Sequence, residues 1–117
     1  MDARWIGFGE IEVEGVRYTH DIVIEGGKVT KRAKKPSKAY RAGYGHTPLS
    51  ADEHIPWGGE RLIVGTGAYG SLPVMPEVEE EARRRGVKLV ARPTEEALGL
   101  LRDSRPKDVR AVLHVTC

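Results

Sequence analysis

The stretch Arg61-Leu62-Ile63-Val64-Gly65-Thr66-Gly67-Ala68-Tyr69-Gly70 decides the architecture, because a short aliphatic run closed by glycine reads as a buried strand over 61–65. The sequence after it alternates helix and strand. Over 76–85, Pro76 stands in a first turn, where no backbone donor is needed. Glu79/Arg83, Glu80/Arg84 and Glu81/Arg85 are spaced four apart with the acids leading, Val78 and Ala82 give an apolar stripe, and Gly86 ends the helix. A strand follows over 87–92. Thr94 is then read as the cap of a second helix, 95–103, with Ala97, Leu98, Leu100 and Leu101 turned inward. Residues 109–115 are apolar at nearly every position, as a central strand is. This half is therefore β-α-β-α-β, and right-handed crossovers make its three strands parallel.

The first third has a period of two. Ile11 and Val13 oppose Glu10, Glu12 and Glu14, and Val16, Tyr18, Ile22 and Ile24 continue the alternation. Breaks at Glu14-Gly15 and Gly26-Gly27 give two hairpins, hence strands near 10–14, 16–25 and 28–32 with a short one near 4–8 before them. Residues 33–60 are too long to be structureless in a compact domain. Ser50-Ala51-Asp52-Glu53 matches a capping box and predicts a short helix there, with basic, glycine-punctuated loop around it. The expected fold class is α/β: one compact domain over 1–117, an N-terminal antiparallel β meander packed with a C-terminal β-α-β-α-β unit containing parallel strands.

Composition sets the outer bounds. The chain has 117 residues, 39% of them hydrophobic and 31% charged, a globular balance for one core. No apolar run is long enough to span a membrane, and Arg4, Glu10, Glu12 and Glu14 interrupt any secretion signal. Cys117 is the only cysteine, so no intrachain disulfide forms and the cytoplasm is the expected location. Asn and Gln are both absent, which with the Glu/Arg-rich helix points to a thermophilic origin. The net charge of +2 hides an asymmetry: Lys28, Lys31, Arg32, Lys34, Lys35, Lys38 and Arg41 fall within 26–51 with no acid among them.

Gly65-x-Gly67-x-x-Gly70 has the form of a dinucleotide fingerprint, but Pro73 and Pro76 delay the helix and the second strand ends in Arg92 rather than an acid. A tight glycine turn is the better reading, and no cofactor is expected. Parallel strand ends converge at Gly65, Thr66 and Gly67, at Thr94, and at Thr116. Ligands in open α/β sheets bind at such an edge. With outward amides after Gly65 and a cation from the 31–41 loop, for which Lys34 is chosen, these six residues are the candidate site for a small anionic ligand. Gly67→Val is expected to close that edge without unfolding the sheet, and Thr94→Ala to cost about 1 kcal/mol as a lost cap. No His/Cys spacing fits a structural zinc site, so no metal is expected. His114 and Cys117, three apart on a strand, are expected on opposite faces, and Cys117 reads as a passive small hydrophobe. The basic 28–45 segment, interleaved with Tyr40 and Tyr44, has the composition of a nucleic-acid contact set against an acidic remainder.

The order His20-Asp21-Ile22-Val23-Ile24, then Leu62 to Gly67, Pro93-Thr94-Glu95-Glu96-Ala97, and the closing Leu113-His114-Val115-Thr116-Cys117 resembles a family of unassigned function. Its human relatives include an adipogenesis-associated protein and a mitochondrial assembly factor for respiratory complex I, and the resemblance is nearest to archaeal members. It implies a compact α/β domain and transfers no catalytic residues. With no activated nucleophile, acid pair or metal spacing in the sequence, the leading expectation is an interaction or assembly-accessory protein with a protein partner or a homodimer. Small-anion binding at the strand ends is the alternative, and nucleic-acid binding the second alternative.

Overall fold

The computed structural model describes residues 1–117. In chain order the elements are β1 (Ala3–Gly7), β2 (Glu10–Val13), β3 (Val16–Tyr18), β4 (Ile22–Glu25), β5 (Lys28–Lys31), α1 (Arg41–Tyr44), β6 (Arg61–Thr66), α2 (Pro76–Arg85), β7 (Lys88–Arg92), α3 (Thr94–Arg102) and β8 (Arg110–His114). Strands β1, β2 and β3 form a small antiparallel sheet. A second sheet has the order β5-β4-β8-β6-β7, in which β8, β6 and β7 run parallel and β4 is antiparallel to both β5 and β8. The parallel β-α-β-α-β set expected from 61–115 is present.

Period-two alternation divides the core. Ile22 and Ile24 of β4, Ile63 of β6, and Ala111 and Leu113 of β8 face α3, whose Ala97, Leu98 and Leu101 are buried between the two sheets. Met1, Ala3, Ile11 and Val13 close this layer from the small sheet. On the opposite face Val23, Leu62, Val64 and Val112 pack against Val78 of α2 and against Leu49, Ile55 and Leu72. The long middle segment is thus a covering layer of its own. Leu49 anchors it, donating to the Pro73 carbonyl at 2.8 Å and accepting from the Met75 amide at 3.0 Å. No helix is long and apolar enough to cross a membrane.

Three local readings are corrected. The strand expected over 16–25 is two strands: alternation runs on through Thr19-His20-Asp21, but the chain changes sheet there, so β4 and β5 extend the large sheet. The helix expected from the Ser50–Glu53 capping box is only a turn. Ser50 Oγ accepts the Asp52 amide at 3.3 Å, while the Glu53 side chain reaches inward to Arg32. The helical turns of the middle segment lie earlier, a 3-10 turn over Lys35–Tyr40 running into α1, where only loop was expected.

Candidate functional site

Strand register builds the site. Ile22 pairs with Lys31 on one side and with Leu113 on the other, so one position further out Asp21 stands between Arg32 and His114, and His114 pairs with Thr66. Directly opposite residues share a face. This row of polar side chains therefore crosses the sheet at its C-terminal edge, under the middle segment.

The row is tightly bonded. Arg32 Nη1 donates to Asp21 Oδ2 at 2.9 Å, and its Nε and Nη2 donate to the two Glu53 oxygens at 2.7 Å each. Nη2 also reaches the Pro48 carbonyl at 3.1 Å. Ser37 Oγ donates to Glu53 and pairs with Ser50 Oγ at 2.6 Å. The Arg32 side chain is only 1% exposed. Burial works against its charge, but bonds to Glu53 and Asp21 more than offset that and raise its pKa further. Asp21 Oδ1 accepts the Val115 amide at 3.0 Å, and Oδ2 lies 2.9 Å from His114 Nδ1. Burial would raise the Asp21 pKa, yet the His114 contact, the Val115 amide and Arg32 together hold it at about 2.

Beside this network lies a cavity of about 260 Å³. Lys34, Arg41, His46 and Thr47 line it from the middle segment, and His114, Thr116 and Cys117 from the end of β8, with Arg32 and Leu72 completing the wall. No Asp or Glu side chain lines it. Arg32 is spent on Asp21 and Glu53, whereas Lys34 and Arg41 form no ion pair and are exposed. The structure thus separates one neutralised interior cation from two free ones at the rim.

The six sequence-selected residues divide between wall and support. Thr116 and Lys34 line the cavity. Gly65, Thr66, Gly67 and Thr94 lie at the same edge and hold it together. Thr94 does not cap α3, whose N-cap is Pro93 with no side-chain bond. Its hydroxyl accepts from the Gly67 amide at 2.8 Å and donates to the His114 carbonyl at 2.5 Å, tying β6 to β8. Gly65 fits against it, since a Cβ there would sit 2.9 Å from Thr94 Oγ1. The amides expected to point outward are occupied: Ala68 donates to the Thr116 carbonyl at 2.6 Å, and Tyr69 and Ser71 to Cys117 at 3.2 and 3.0 Å. The glycine turn therefore binds the chain's own 116–117 carbonyls. His114 and Cys117, expected on opposite faces, line one cavity because β8 ends at His114 and the alternation stops with it.

The candidate site read from the sequence lacks Asp21, Arg32, Glu53, Arg41 and His46, although Arg32 and Arg41 fall in the 31–41 loop that was to supply its cation. One signal for Asp21 and Arg32 was available. Asp21 adjoins Ile22–Ile24, Arg32 closes β5, and His114 breaks an apolar strand; a charge inside a buried pattern implies a buried partner. Which partner required the register.

Fold and site define a small two-sheet α/β domain with a basic cavity over the ends of its parallel strands. The crystal structure of conserved hypothetical protein PH1505 from Pyrococcus horikoshii OT3 superposes with a TM-score of 0.77 at 30% identity, covering 100% of both chains. The protein MT938 gives 0.72 at 27%, covering 95% of this chain and 94% of that one. The chain belongs to the family of PH1505, the Mth938-like proteins, as the Gly-Thr-Gly turn and the closing His-Val-Thr-Cys led one to expect. A solution NMR structure of a Mth938-like domain from Bordetella pertussis shares the fold with a TM-score of 0.56 at 23% identity over 93% of this chain and 82% of that one. No family model matches the chain, and no curated protein does.

Gly67 has φ +103, and a Cβ there would lie 2.2 Å from Cys117 C. Gly67→Val is therefore expected to displace residues 115–117, beyond the end of β8, and cost roughly 2–4 kcal/mol. Thr94→Ala is expected to cost about 1–3 kcal/mol, through two broken buried bonds rather than a lost cap. Urea denaturation measures both. For Asp21 the sign follows from a folded pKa of about 2, below the ordinary 3.8. Its contribution is fully present above the ordinary value and is lost as the pH falls through about 2. From about pH 4 downward the stability gap between wild type and Asp21→Asn should shrink by about 2 kcal/mol.

Proposed function

We propose that the protein is a small-molecule binder whose cavity takes a compact dianion, such as a phosphate-bearing ligand. The carrying observation is the wall: Lys34 and Arg41 without side-chain carboxylate partners, His46 and His114 beside them, and no Asp or Glu side chain. Two free cations match two negative charges. About 260 Å³ is small for a ligand pocket, which favours a compact ligand. Thr116 and Lys34 would contact the anion, while Gly65, Thr66, Gly67 and Thr94 would act indirectly by fixing the wall. Inorganic phosphate in a chloride background should raise the melting temperature, by the equivalent of about 2.7 kcal/mol at a hundred times Kd. Because Lys34 and Arg41 are exposed and unpaired, the variant Lys34→Ala/Arg41→Ala should fold normally and lose the shift. An unchanged melting temperature, or a shift that survives in the variant, rejects the reading.

A protein partner or homodimer is the second reading. Phe8 is 57% and Tyr69 75% exposed with ring centroids 6.0 Å apart, and Ile6 and Val16 are also exposed. Large exposed aromatics favour association. Nucleic acid is less well supported, since Arg32 is withdrawn from the basic segment and Tyr40 donates to Asp52 at 2.6 Å. Sedimentation velocity should show dimer weakened by Phe8→Ser/Tyr69→Ser; a monomer across the micromolar to millimolar range removes the homodimer.

A further inference from the structure

His114 turns one ring nitrogen to Asp21 in the interior and the other to Thr116, a residue of the cavity wall. Nδ1 lies 2.9 Å from Asp21 Oδ2, and an ionised carboxylate only accepts, so Nδ1 carries the hydrogen and, in the neutral ring, Nε2 has the lone pair. Asp21 cannot turn away, because the Val115 amide and Arg32 Nη1 hold its two oxygens. Behind it, two carboxylates share one guanidinium, which leaves negative charge to face the imidazole. Nε2 meets Thr116 Oγ1 at a long 3.3 Å and His114 lines the cavity, in which Lys34, Arg41, His46 and Cys117 are the other ionisable groups besides Arg32.

We propose that Asp21 and His114 form a general-base dyad, in which His114 Nε2 takes a proton from a small anionic substrate held by Lys34 and Arg41. The inference rests on the anion-binding reading of this cavity. A C–H or O–H bond beside the charged group of the substrate breaks, its electron pair stays on the substrate, and an N–H bond forms at Nε2. The imidazolium is stabilised by Asp21, and the charge developing on the substrate by the two cations. Return of the proton to a second position completes an isomerisation with no co-reactant. Acyl transfer fits less well. The Gly67 turn lies against the imidazole, a Gly67 Cβ position being 2.8 Å from His114 Cδ2, and its amides at 67–69 and 71 are all engaged, so they offer a developing oxyanion nothing.

Bromoacetate tests the dyad without knowledge of the substrate. Its carboxylate should dock on Lys34 and Arg41 while the Nε2 lone pair displaces bromide, forming a C–N bond as the C–Br bond breaks. Mass spectrometry, residue by residue, should find His114 carboxymethylated with saturating kinetics, at least tenfold faster than exposed His20 and His54. Inorganic phosphate should protect it, and neutral bromoacetamide should show no saturation. Asp21 is the positioning residue. In Asp21→Asn the amide NH2 meets either Val115 N–H or Arg32, so Nε2 labelling should fall at least tenfold while the phosphate-induced melting shift remains. The ¹⁵N shifts of the wild-type ring read the same tautomer should that variant fail to fold. His114 labelling no faster than His20, labelling indifferent to Asp21→Asn, or a hydrogen found on Nε2 overturns the dyad even where phosphate binds. Fast labelling that phosphate neither protects nor accompanies with a melting shift overturns the anion reading instead.

Discussion

Arg32 carries a full charge into the interior, where Glu53 holds it through two nitrogens at 2.7 Å and Asp21 through a third at 2.9 Å. Its side chain is 1% exposed, so bulk water contributes almost nothing to its solvation. Removing Arg32 would leave two buried carboxylates uncompensated, at a typical cost of about 3–5 kcal/mol. Three segments distant in sequence are joined by it: Asp21 at the start of β4, Arg32 just after β5, and Glu53 in the middle segment. Through Asp21 it also reaches His114 and the Val115 amide at the end of β8.

That junction explains the position of the cavity. The middle segment covers the apolar face of the large sheet through Leu49 and Ile55, but at the C-terminal edge it meets a polar row. Salt-bridged side chains there keep the cover from packing down as it does over Val23 and Val112, and the remaining space is bounded by polar groups. The cations that could neutralise a ligand are those that register does not place opposite Asp21. Lys34 lies two residues beyond Arg32 and finds no acid; Arg41 sits at the start of α1 with none either. The same run of basic residues therefore serves two purposes, set by pairing and not by residue type.

Much of the architecture was legible because it is written in short-range periodicity. The 76–85 helix, with Pro76 at its start and Gly86 at its end, is found over those residues, and the three apolar runs after Glu60 are the three parallel strands. The readings that went wrong each applied a local rule where a long-range bond decides. Alternation from Val16 to Ile24 is continuous, yet the chain changes sheets within it. Thr94 stands where a cap belongs, but its hydroxyl bridges Gly67 and His114, twenty or more residues away. Ser50 and Glu53 have capping-box spacing, and Glu53 is claimed by Arg32. The parallel strand ends do share one edge, but the amides there are not free, since Thr116 and Cys117 occupy them.

The division between interior network and rim has a consequence for how such a site can vary. Asp21 and Glu53 act on the cavity through the positions of His114, the middle segment and Arg32, which is itself part of the wall, so changes there alter stability and geometry together. Lys34 and Arg41 have no partner in the protein, and changing either disturbs no buried bond. Ligand charge can therefore be retuned at the rim at little cost to the fold, while the row Arg32, Asp21, His114 and Thr66 is constrained by four strands at once. His114 is the point where the two regimes meet. One nitrogen is bound by the requirements of folding, and the other meets only the Thr116 hydroxyl, at a long 3.3 Å, on the wall of the cavity.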